Sequence, residues 1–312
     1  MMNRAQMVFK AIDGLGYPTQ NMKKFENVIS FRDIAYGDHP QNKLDLYYRR
    51  DIINDGKKHP VILYIHGGGF IMGDKKCRVS ISEYYADKGY FVCCINYRMP
   101  PEVQFPEYAH DIVKAANFVN TLAQEYSIDL DNVFVTGDSS GGFSAAYLAA
   151  LKYDEALGQR IGAPKVEIDL KGILLMCGIY DVEVLLQGGK LLGVIPKTAQ
   201  MIVGDFELKK DLSNFNEYPY YHEMAPANFV NDKWCPTFIC WAEDDLVCQG
   251  QGEPMAEKLK ENVPYYDDYH VKGVQNNHCF HLEFGHNKLA KECMQKSADF
   301  IAKVVEMEKI AK

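Results

Sequence analysis

The stretch NVFVTGDSSGGFSAAYLAALKY, residues 132–153, decides how the rest of the chain is interpreted. Its first half is an apolar, β-branched run that stops at Gly137, which is typical of a buried strand. Its second half, from Ser140 onward, is rich in Ala and Leu, contains no Pro and has apolar residues at helical spacing. The stretch therefore predicts a strand that turns into a helix across Gly-x-Ser-x-Gly, the context that a nucleophilic serine requires.

Two adjacent serines in this turn are candidates for the nucleophile. Ser139 has a glycine two residues before it and another two residues after it, Gly137 and Gly141, which lets the strand and the helix pass closely. Ser140 in the same role would place Asp138 at the crowded position two residues earlier. We therefore predict Ser139 as the nucleophile and expect the backbone N–H of Ser140 to face an oxyanion. The similar GDSGG string of trypsin-like proteases belongs to all-β proteins without the following helix.

Short apolar strands alternate with amphipathic helices along most of the chain. Such alternation, with buried strands, predicts an α/β fold with a mostly parallel sheet of about eight strands and helices on both faces. The predicted strands are residues 27–35, 43–48, 61–65, 91–96, 133–136, 172–177, 237–242 and 265–271, and the predicted helices are residues 79–88, 108–126, 140–153, 252–262 and 288–307. Only YGDHPQN separates the first two strands, so an antiparallel hairpin is expected at one edge of the sheet.

Two segments interrupt this alternation and divide the chain into a core and a cap. Residues 25–179 and 232–312 form the predicted catalytic core. Residues 1–24 contain a short amphipathic helix. Residues 180–231 form a stretch too long for an ordinary loop. Both segments are predicted to be cap or lid. The apolar residues that define the first helix are Val8, Ala11, Ile12 and Leu15, and it is expected to end near Gly16 and Pro18.

A second glycine-rich segment, VILYIHGGGFIMGD (residues 61–74), follows a predicted buried strand. Its three consecutive glycines expose backbone N–H groups that can donate to a developing oxyanion. A tight turn or a phosphate-binding loop is the alternative, but neither GxxxxGK[ST] nor GxGxxG opening a helix is present. We expect His66, which precedes the glycines, to orient or pack rather than to catalyse.

A serine nucleophile needs a base, and the base needs a carboxylate that orients it. Asp245, in the turn after the predicted strand 237–242, is the preferred acid, and its neighbour Asp244 is the alternative. Three histidines, His278, His281 and His286, follow the last predicted strand. His278 is the preferred base because it comes first, in a polar loop, whereas the other two are expected at the start of the final helix or on the surface.

Composition excludes several other functions. The formal net charge of −8 and the lack of a basic run argue against nucleic acid or an anionic membrane as the main partner. The N-terminal residues lack the apolar region of a signal peptide, and no segment approaches the ~20 apolar residues of a membrane span. The nine cysteines contain no CxxC pair, so we expect buried, reduced thiols in a cytoplasmic protein and neither a zinc site nor a redox motif.

Five motifs occur in an order that resembles a known family: HGGGF (66–70), YRMPPEVQFPEYAHD (97–111), GDSSGG (137–142), AEDDLV with GEPMAEKL (242–259) and HCF (278–280). They are similar to the hormone-sensitive-lipase-like branch of the α/β-hydrolases, which includes bacterial acetyl esterases and carboxylesterases. The resemblance implies an α/β-hydrolase fold with a small helical cap and a mechanism without metal or cofactor. It implies Ser139 as nucleophile, Asp245 as acid and His278 as base. The oxyanion donors that it implies are the backbone N–H groups of Gly68, Gly69 and Ser140.

The resemblance implies hydrolysis of small carboxylic esters with short acyl chains. The expected partner is a small-molecule ester, with no nucleic acid and no membrane span. The oligomeric state is left open between a monomer and a homodimer. An amidase, formamidase or peptidase would use the same triad. A ligand-binding protein on an inactive hydrolase scaffold, similar to the plant gibberellin receptor, is a further alternative. Such proteins typically lose one member of the triad. Here all three positions of the triad carry suitable residues, namely Ser139, Asp245 and His278.

Overall fold

The central sheet has eight strands, as predicted. The computed structural model describes residues 2–188, 193–273 and 277–311. The strands are β1 Val28–Ala35, β2 Lys43–Arg49, β3 His59–Ile65, β4 Phe91–Ile95, β5 Ile128–Asp138, β6 Leu170–Met176, β7 Thr237–Ala242 and β8 Tyr266–Val271. The apolar runs located each of them, and the largest difference is in β5, which is longer at both ends than residues 133–136.

The strand order places the predicted nucleophile in the middle of the sheet. The order is β1-β2-β4-β3-β5-β6-β7-β8. Strand β2 runs antiparallel to both β1 and β4, and the remaining neighbours pair in parallel. The predicted mostly parallel sheet and the hairpin at its edge are therefore confirmed. Because parallel strands end at the same edge, the loops after β3, β5, β7 and β8 can converge on one site.

Nine α-helices connect or flank these strands in the described residues. They are α1 Arg4–Gln20, α2 Val79–Asp87, α3 Glu107–Glu125, α4 Ser140–Tyr153, α5 Glu155–Ile161, α6 Val182–Gly188, α7 Ile195–Val203, α8 Gly252–Asn262 and α9 Lys288–Ala311. The five helices predicted in the core match α2, α3, α4, α8 and α9 closely. None of the helices in the described ranges combines the length and the apolar character needed to cross a membrane.

Alternate residues of each buried strand face opposite sides of the sheet, and each side has its own core. Val61 and Leu63 of β3 pack with side chains of α3, α4 and α8. Ile62 and Tyr64 of the same strand pack with side chains of α2 and α9. Helices therefore cover both faces, which explains why the central strands are apolar without alternation.

Helix α1 differs from the prediction in its end and in its buried face. It continues to Gln20 with Pro18 inside it, because a proline this close to the end removes one hydrogen bond and the N–H of Asn21 still bonds to Tyr17. Leu15, expected on the apolar face, is 82% exposed. The helix instead buries Ala5 and packs Phe9 against the protein.

The segment 180–231 contains α6, α7 and three short 3-10 helices. Residues 189–192 of this predicted lid lie outside the described residues. Helices α1 and α7 lie next to each other, and the side chain of Asn3, the residue that caps α1, donates to the sulfur of Met201 at 2.9 Å. Ala5, Ile71, Val194 and Met201 form a small apolar cluster that joins α1 and α7 to the loop after β3.

Candidate active site

Ser139 lies at the turn between β5 and α4 in a strained backbone conformation, with φ 56° and ψ −122°. The flanking glycines are required by close contacts between backbone atoms. A Cβ atom at Gly137 would lie 2.3 Å from the carbonyl oxygen of Gly141. A Cβ atom at Gly141 would lie 2.1 Å from the carbonyl oxygen of Ile65. The Gly-x-Ser-x-Gly spacing thus has the steric basis that the sequence predicted.

His278 connects the hydroxyl of Ser139 to the carboxylate of Asp245. Its Nε2 atom lies 2.8 Å from Ser139 Oγ, and its Nδ1 atom lies 2.8 Å from Asp245 Oδ2. The three side chains come from the loops after β5, β7 and β8. Residues 274–276 of the loop predicted before the histidine lie outside the described residues. The structure therefore brings together the three residues that the sequence selected for the triad.

Asp245 is held in the orientation that its hydrogen bond with His278 needs. Its second carboxylate oxygen, Oδ1, accepts hydrogen bonds of 2.8 Å from the backbone N–H groups of both Val247 and Cys248. The side chain is 3% exposed, so it has little access to competing water. Both oxygens have protein donors, and the carboxylate can fix the imidazole with its Nδ1 atom protonated and its Nε2 atom free to accept a proton.

The charges of His278 and Asp245 stabilise each other. Burial alone would lower the pKa of His278, but the adjacent carboxylate outweighs it and raises that pKa well above 6.5. Burial alone would raise the pKa of Asp245, but His278 and the two N–H donors lower it below 3.8. The pair therefore keeps a carboxylate beside an imidazole that readily accepts a proton, which is what a general base requires.

Three backbone N–H groups near the serine are free to bind an anion. Within residues 2–188, 193–273 and 277–311, the N–H groups of Gly68, Gly69 and Ser140 have no protein acceptor. Gly68 and Gly69 line the same cavity as Ser139, and Ser140 is the first residue of α4, where the helix dipole favours negative charge. These groups could stabilise an oxyanion beside Ser139 Oγ.

The loop that carries these glycines has a conformation that other residues would strain. Gly68 has φ 142°, and a Cβ atom there would lie 1.7 Å from the carbonyl oxygen of Met72. Gly69 has φ 61°, and a Cβ atom there would lie 2.2 Å from the ring of Phe9 on α1. His66 is buried, donates from Nδ1 to the carbonyl of Gly67 and stacks on the ring of Tyr97, so its role is to orient the loop.

A buried ion pair that the sequence analysis did not identify lies next to this site. Arg78 donates from Nε and Nη2 to the two carboxylate oxygens of Asp138, at 2.7 and 2.6 Å. Tyr64 donates to one of these oxygens at 2.9 Å and the N–H of Gly67 to the other at 3.2 Å. Asp138 lies inside the serine motif, but no spacing in the sequence links it to Arg78.

The alternative acid and bases lie elsewhere. Asp244 is exposed and accepts a hydrogen bond from the N–H of Gly273. His286 has a half-exposed side chain next to Glu283. His281 was expected at the start of the final helix or on the surface, and this is wrong: it is fully buried in a short 3-10 helix before α9. Burial lowers the pKa of His281 to about 3, and its Nδ1 atom faces Cys177 at 3.7 Å.

A cavity of about 90 Å³ opens at the candidate triad. Ser139, His278, Gly68 and Gly69 form its polar end. Side chains of α1 and of the loops after β7 and β8 line much of the remainder, and the buried pair of Arg78 and Asp138 also reaches this cavity. The other lining residues are Phe9, Ile12, Asp13, Gln20, Val247, Cys279 and Leu282. Asp13, one helical turn after Phe9, is a residue that the sequence analysis missed, although an acid on the inner face of an apolar helix is the signal that could have identified it.

Two groups of side chains bring possible metal ligands within 4.8 Å of one another in the described residues. Asp245, Cys248 and His278 form one group, and hydrogen bonds of the candidate triad already occupy it. Cys177, Cys240 and His281 form the other. Burial raises the pKa of both thiols well above 9.0, which favours neutral thiols over the thiolates that bind metals. Both groups are therefore better explained by the triad and by core packing.

Comparison with protein families identifies the chain. The family model named BD-FAE matches residues 44–259, more than half of the sequence and all the motifs except the final histidine. The chain belongs to the BD-FAE family. Its kinship with the α/β-hydrolases, inferred above from five motifs, is confirmed.

Similar proteins of known description are ester hydrolases. A probable isoprenylcysteine alpha-carbonyl methylesterase, ICME, of Oryza sativa subsp. japonica is 28% identical over 200 residues, which cover 64% of this chain and 46% of that protein. The probable carboxylic ester hydrolase LipM of Mycobacterium tuberculosis is 26% identical over 247 residues, which cover 78% of this chain and 55% of that protein. The chain thus spans about half the length of these curated relatives.

A solved structure supports the fold. Esterase B from Lactobacillus rhamnosis, in an inhibited form, superimposes with a TM-score of 0.82 and covers 99% of both chains at 19% identity. The predicted α/β-hydrolase fold is therefore confirmed. Identity this low is evidence for the fold alone.

Proposed function

We propose that this protein is a carboxylesterase-type serine hydrolase that cleaves small carboxylic esters through an acyl-enzyme. The observation that carries the proposal is the chain of two 2.8 Å contacts from Ser139 to His278 and from His278 to Asp245. It lies next to three backbone N–H groups without protein acceptors in the described residues. The family membership and the esterases among its relatives agree with this arrangement.

In the first step, Ser139 Oγ attacks the carbonyl carbon of the ester while His278 Nε2 takes the hydroxyl proton. Asp245 holds the opposite edge of the imidazole and stabilises the imidazolium that forms. The carbonyl oxygen becomes an oxyanion, which accepts hydrogen bonds from the N–H groups of the glycine-rich loop and of α4. The donors assigned to this role are Gly68, Gly69 and Ser140. In comparable hydrolases, losing one such donor costs roughly 100- to 1,000-fold in turnover.

In the second step, the tetrahedral intermediate collapses and the leaving alcohol takes the proton from His278 Nε2. An acyl group is now bonded to Ser139 Oγ. Water then attacks this ester with His278 as base, and a second collapse releases the carboxylic acid and restores the serine hydroxyl. No group beyond the triad and the N–H donors is needed to balance either step.

The cavity favours small substrates. At about 90 Å³ it is well below the roughly 300–1,000 Å³ of typical ligand pockets. The side chains of Phe9, Val247 and Leu282 limit its apolar end, and they leave room for a short acyl chain. Acetyl and butyryl esters should therefore be better substrates than long-chain esters.

We also propose that residues 1–24 and 180–231 act as a cap on the core formed by residues 25–179 and 232–312. Helix α1 places Phe9 against Gly69, and so it covers one side of the candidate oxyanion site. The contact between α1 and α7 joins the two cap segments. Removing residues 1–24 should therefore change substrate selectivity, which initial rates on a series of esters would measure.

The test of the proposed activity is a set of initial rates for wild type and Ser139→Ala. Suitable substrates are the p-nitrophenyl esters of acetate, butyrate, octanoate and palmitate, together with p-nitroacetanilide. We expect hydrolysis of the two short esters by wild type and a fall to background in the variant. A circular dichroism spectrum and a melting curve would verify that Ser139→Ala is folded.

Other outcomes would change the assignment. Turnover of the anilide without turnover of the esters would favour an amidase, which uses the same residues. Ester hydrolysis that survives in Ser139→Ala would exclude Ser139 as the nucleophile. No turnover of any of these substrates that depends on Ser139 would favour the alternative of a ligand-binding protein on a hydrolase scaffold.

A further inference from the structure

An acidic side chain of the cap lies in the candidate active-site cavity. Asp13 is the only acidic residue in α1, and it lines the cavity together with Ser139 and His278. It follows Phe9 by four residues, so the two side chains lie on the same face of the helix. The triad mechanism assigns no task to this carboxylate. Its position nevertheless exposes it to whatever substrate enters.

Arg78 and Asp138 line the same cavity, and the positive charge of Arg78 acts on Asp13, but the guanidinium forms its hydrogen bonds elsewhere. The guanidinium of Arg78 donates twice to Asp138 and once, at 3.2 Å, to the carbonyl of Cys77. In the described parts of the chain, no hydrogen bond or ion pair reaches the carboxylate of Asp13. Asp74 is a further acid whose charge acts on it. Arg78 offsets Asp138, and Lys76 lies 3.4 Å from Asp74, so the carboxylate of Asp13 leaves this wall with a net negative charge.

The surroundings of Asp13 make this charge effective. Phe9, Ile12, Val247 and Leu282 contribute apolar surface to the same cavity, and this surface screens the carboxylate less than water would. Desolvation makes the charged form of Asp13 less favourable than in water, and it raises the pKa of this group above 3.8. A positively charged ligand group would offset the free-energy cost of this desolvation through its attraction to the carboxylate. The ring of Phe9 adds an aromatic surface, which favours quaternary ammonium groups.

We propose that this cavity selects esters that carry a positively charged ammonium group, with Asp13 as the counter-ion. The inference rests on the proposed esterase function and names a substrate class for it. A neutral ester of the same shape would leave the carboxylate with water as its partner and would gain no Coulomb attraction. The selectivity should therefore appear as a lower KM for the cationic ester, with a smaller effect on kcat.

The test compares pairs of esters that differ in one atom. Acetylcholine and 3,3-dimethylbutyl acetate differ by a quaternary nitrogen or a carbon in the alcohol part. The p-nitrophenyl esters of 4-(trimethylammonio)butanoate and 5,5-dimethylhexanoate differ in the same way in the acyl part. We expect kcat/KM of the cationic ester to exceed that of its neutral partner by roughly tenfold in at least one pair, the effect of one partly desolvated charge contact.

Variants assign this preference to Asp13. Asp13→Asn should bring the cationic-to-neutral ratio of kcat/KM close to one, and Asp13→Glu, which keeps the charge, should hold it above one. Glu26→Gln is the matched control, because it removes an exposed acid that does not line the cavity. Its ratio should equal that of wild type. If the cationic-to-neutral ratio of kcat/KM in Asp13→Asn equals that of wild type, the proposed role of Asp13 is wrong.

The two proposals fail in distinguishable ways. Ratios near one for both pairs in wild type, with hydrolysis of p-nitrophenyl acetate that still depends on Ser139, would overturn the selectivity and leave the esterase function in place. Absence of any hydrolysis that depends on Ser139 would overturn the function itself. Raising the salt concentration should lower the cationic preference, because it screens a charge that is still reachable by solvent.

Discussion

The backbone N–H of Gly67 donates a hydrogen bond of 3.2 Å to the carboxylate of Asp138. This bond links the glycine-rich loop after β3 to the turn that carries Ser139. Arg78 and Tyr64 hold the same carboxylate from other directions. The two parts of the proposed oxyanion site therefore depend on one buried ion pair for their relative position.

Asp138→Asn should destabilise the protein and lower its turnover. The variant leaves the guanidinium of Arg78 buried without a counter-charge, and breaking a buried pair in this way costs about 3–5 kcal/mol. It also weakens the acceptor for the N–H of Gly67, which should loosen the glycine-rich loop and reduce kcat. Urea unfolding and kcat on p-nitrophenyl acetate measure the two effects. Asp131→Asn, an exposed position on the same strand, is the control and should change neither.

The stability difference between wild type and Asp138→Asn should shrink in acid. Burial alone would raise the pKa of Asp138, but Arg78 outweighs it and lowers this pKa from 3.8 to about 2. A carboxyl with a depressed pKa in the folded state stabilises the fold above its unfolded pKa, and this contribution disappears as the pH falls through the folded pKa. The difference in urea midpoint should be complete above about pH 4 and narrow toward pH 2. An equal difference at both ends would contradict the assignment.

The pH profile of kcat/KM should report His278. The base must be neutral to accept the serine proton, and Asp245 raises the pKa of the imidazole, so the acid limb should lie above the ordinary value near 6.5. Asp245→Asn removes the charge that stabilises the imidazolium. This variant should therefore shift the limb to lower pH and reduce kcat by roughly 10⁴-fold, as in a comparable triad.

Two neighbouring residues provide controls for this prediction. Asp244→Asn and His281→Ala should both leave the position of the acid limb unchanged, because in the described residues neither side chain forms a hydrogen bond with Ser139 or His278. His281→Ala removes a buried ring, so some loss of stability is expected and a melting curve should accompany the kinetics. A shift of the limb in Asp244→Asn would transfer the role of the acid to that residue.

Gly69→Ala should impair catalysis partly through a clash with Phe9 of α1. Its Cβ atom would lie 2.2 Å from the ring of Phe9, and the positive φ adds backbone strain of ~1–2 kcal/mol. Displacing the loop removes an oxyanion donor from its position, so kcat should fall roughly 100-fold or more. The double variant with Phe9→Ala should recover part of this loss, because the obstructing ring is gone. A double-mutant cycle on kcat measures the coupling.

Gly68→Ala is the matched control for that cycle. A Cβ atom at this position would lie 1.7 Å from the carbonyl oxygen of Met72, which is backbone and does not change when Phe9 is shortened. Phe9→Ala should therefore give no recovery in Gly68→Ala. Additive effects of Phe9→Ala and Gly69→Ala would indicate that α1 does not pack on the loop in solution.

The fold followed from local patterns because the strands of a parallel sheet are continuous apolar runs, and all eight were located. Helix α5 was missed because it is a single short helix without an apolar stripe. Its ends were nevertheless visible in the sequence: Asp154 caps the first turn by accepting from the N–H of Leu157, and Gly162 ends the helix in the left-handed conformation.

The candidate triad could be chosen from the sequence because each residue follows a strand of the same sheet in the order that a hydrolase uses. Contacts between side chains that are far apart in the sequence could not be predicted in this way. Arg78 and Asp138 are 60 positions apart with no motif that joins them. Asp13 lies in α1, whose orientation depends on tertiary packing, so its place in the cavity of Ser139 was visible only in the structure.

The two adjacent serines can be distinguished by one pair of variants. Ser139→Ala should abolish turnover, because the hydroxyl that forms the acyl-enzyme is gone. Ser140→Ala should keep kcat within about threefold of wild type, because the proposed oxyanion donor is its backbone N–H, which alanine retains. The hydroxyl of Ser140 is buried next to Tyr97, whose own hydroxyl donates to the carbonyl of His66, so the loss of the Ser140 hydroxyl should lower stability by about 1 kcal/mol or less. Initial rates on p-nitrophenyl butyrate and urea unfolding measure both variants; a fall of 100-fold or more in Ser140→Ala would give its hydroxyl a role in the chemistry and contradict the proposed mechanism.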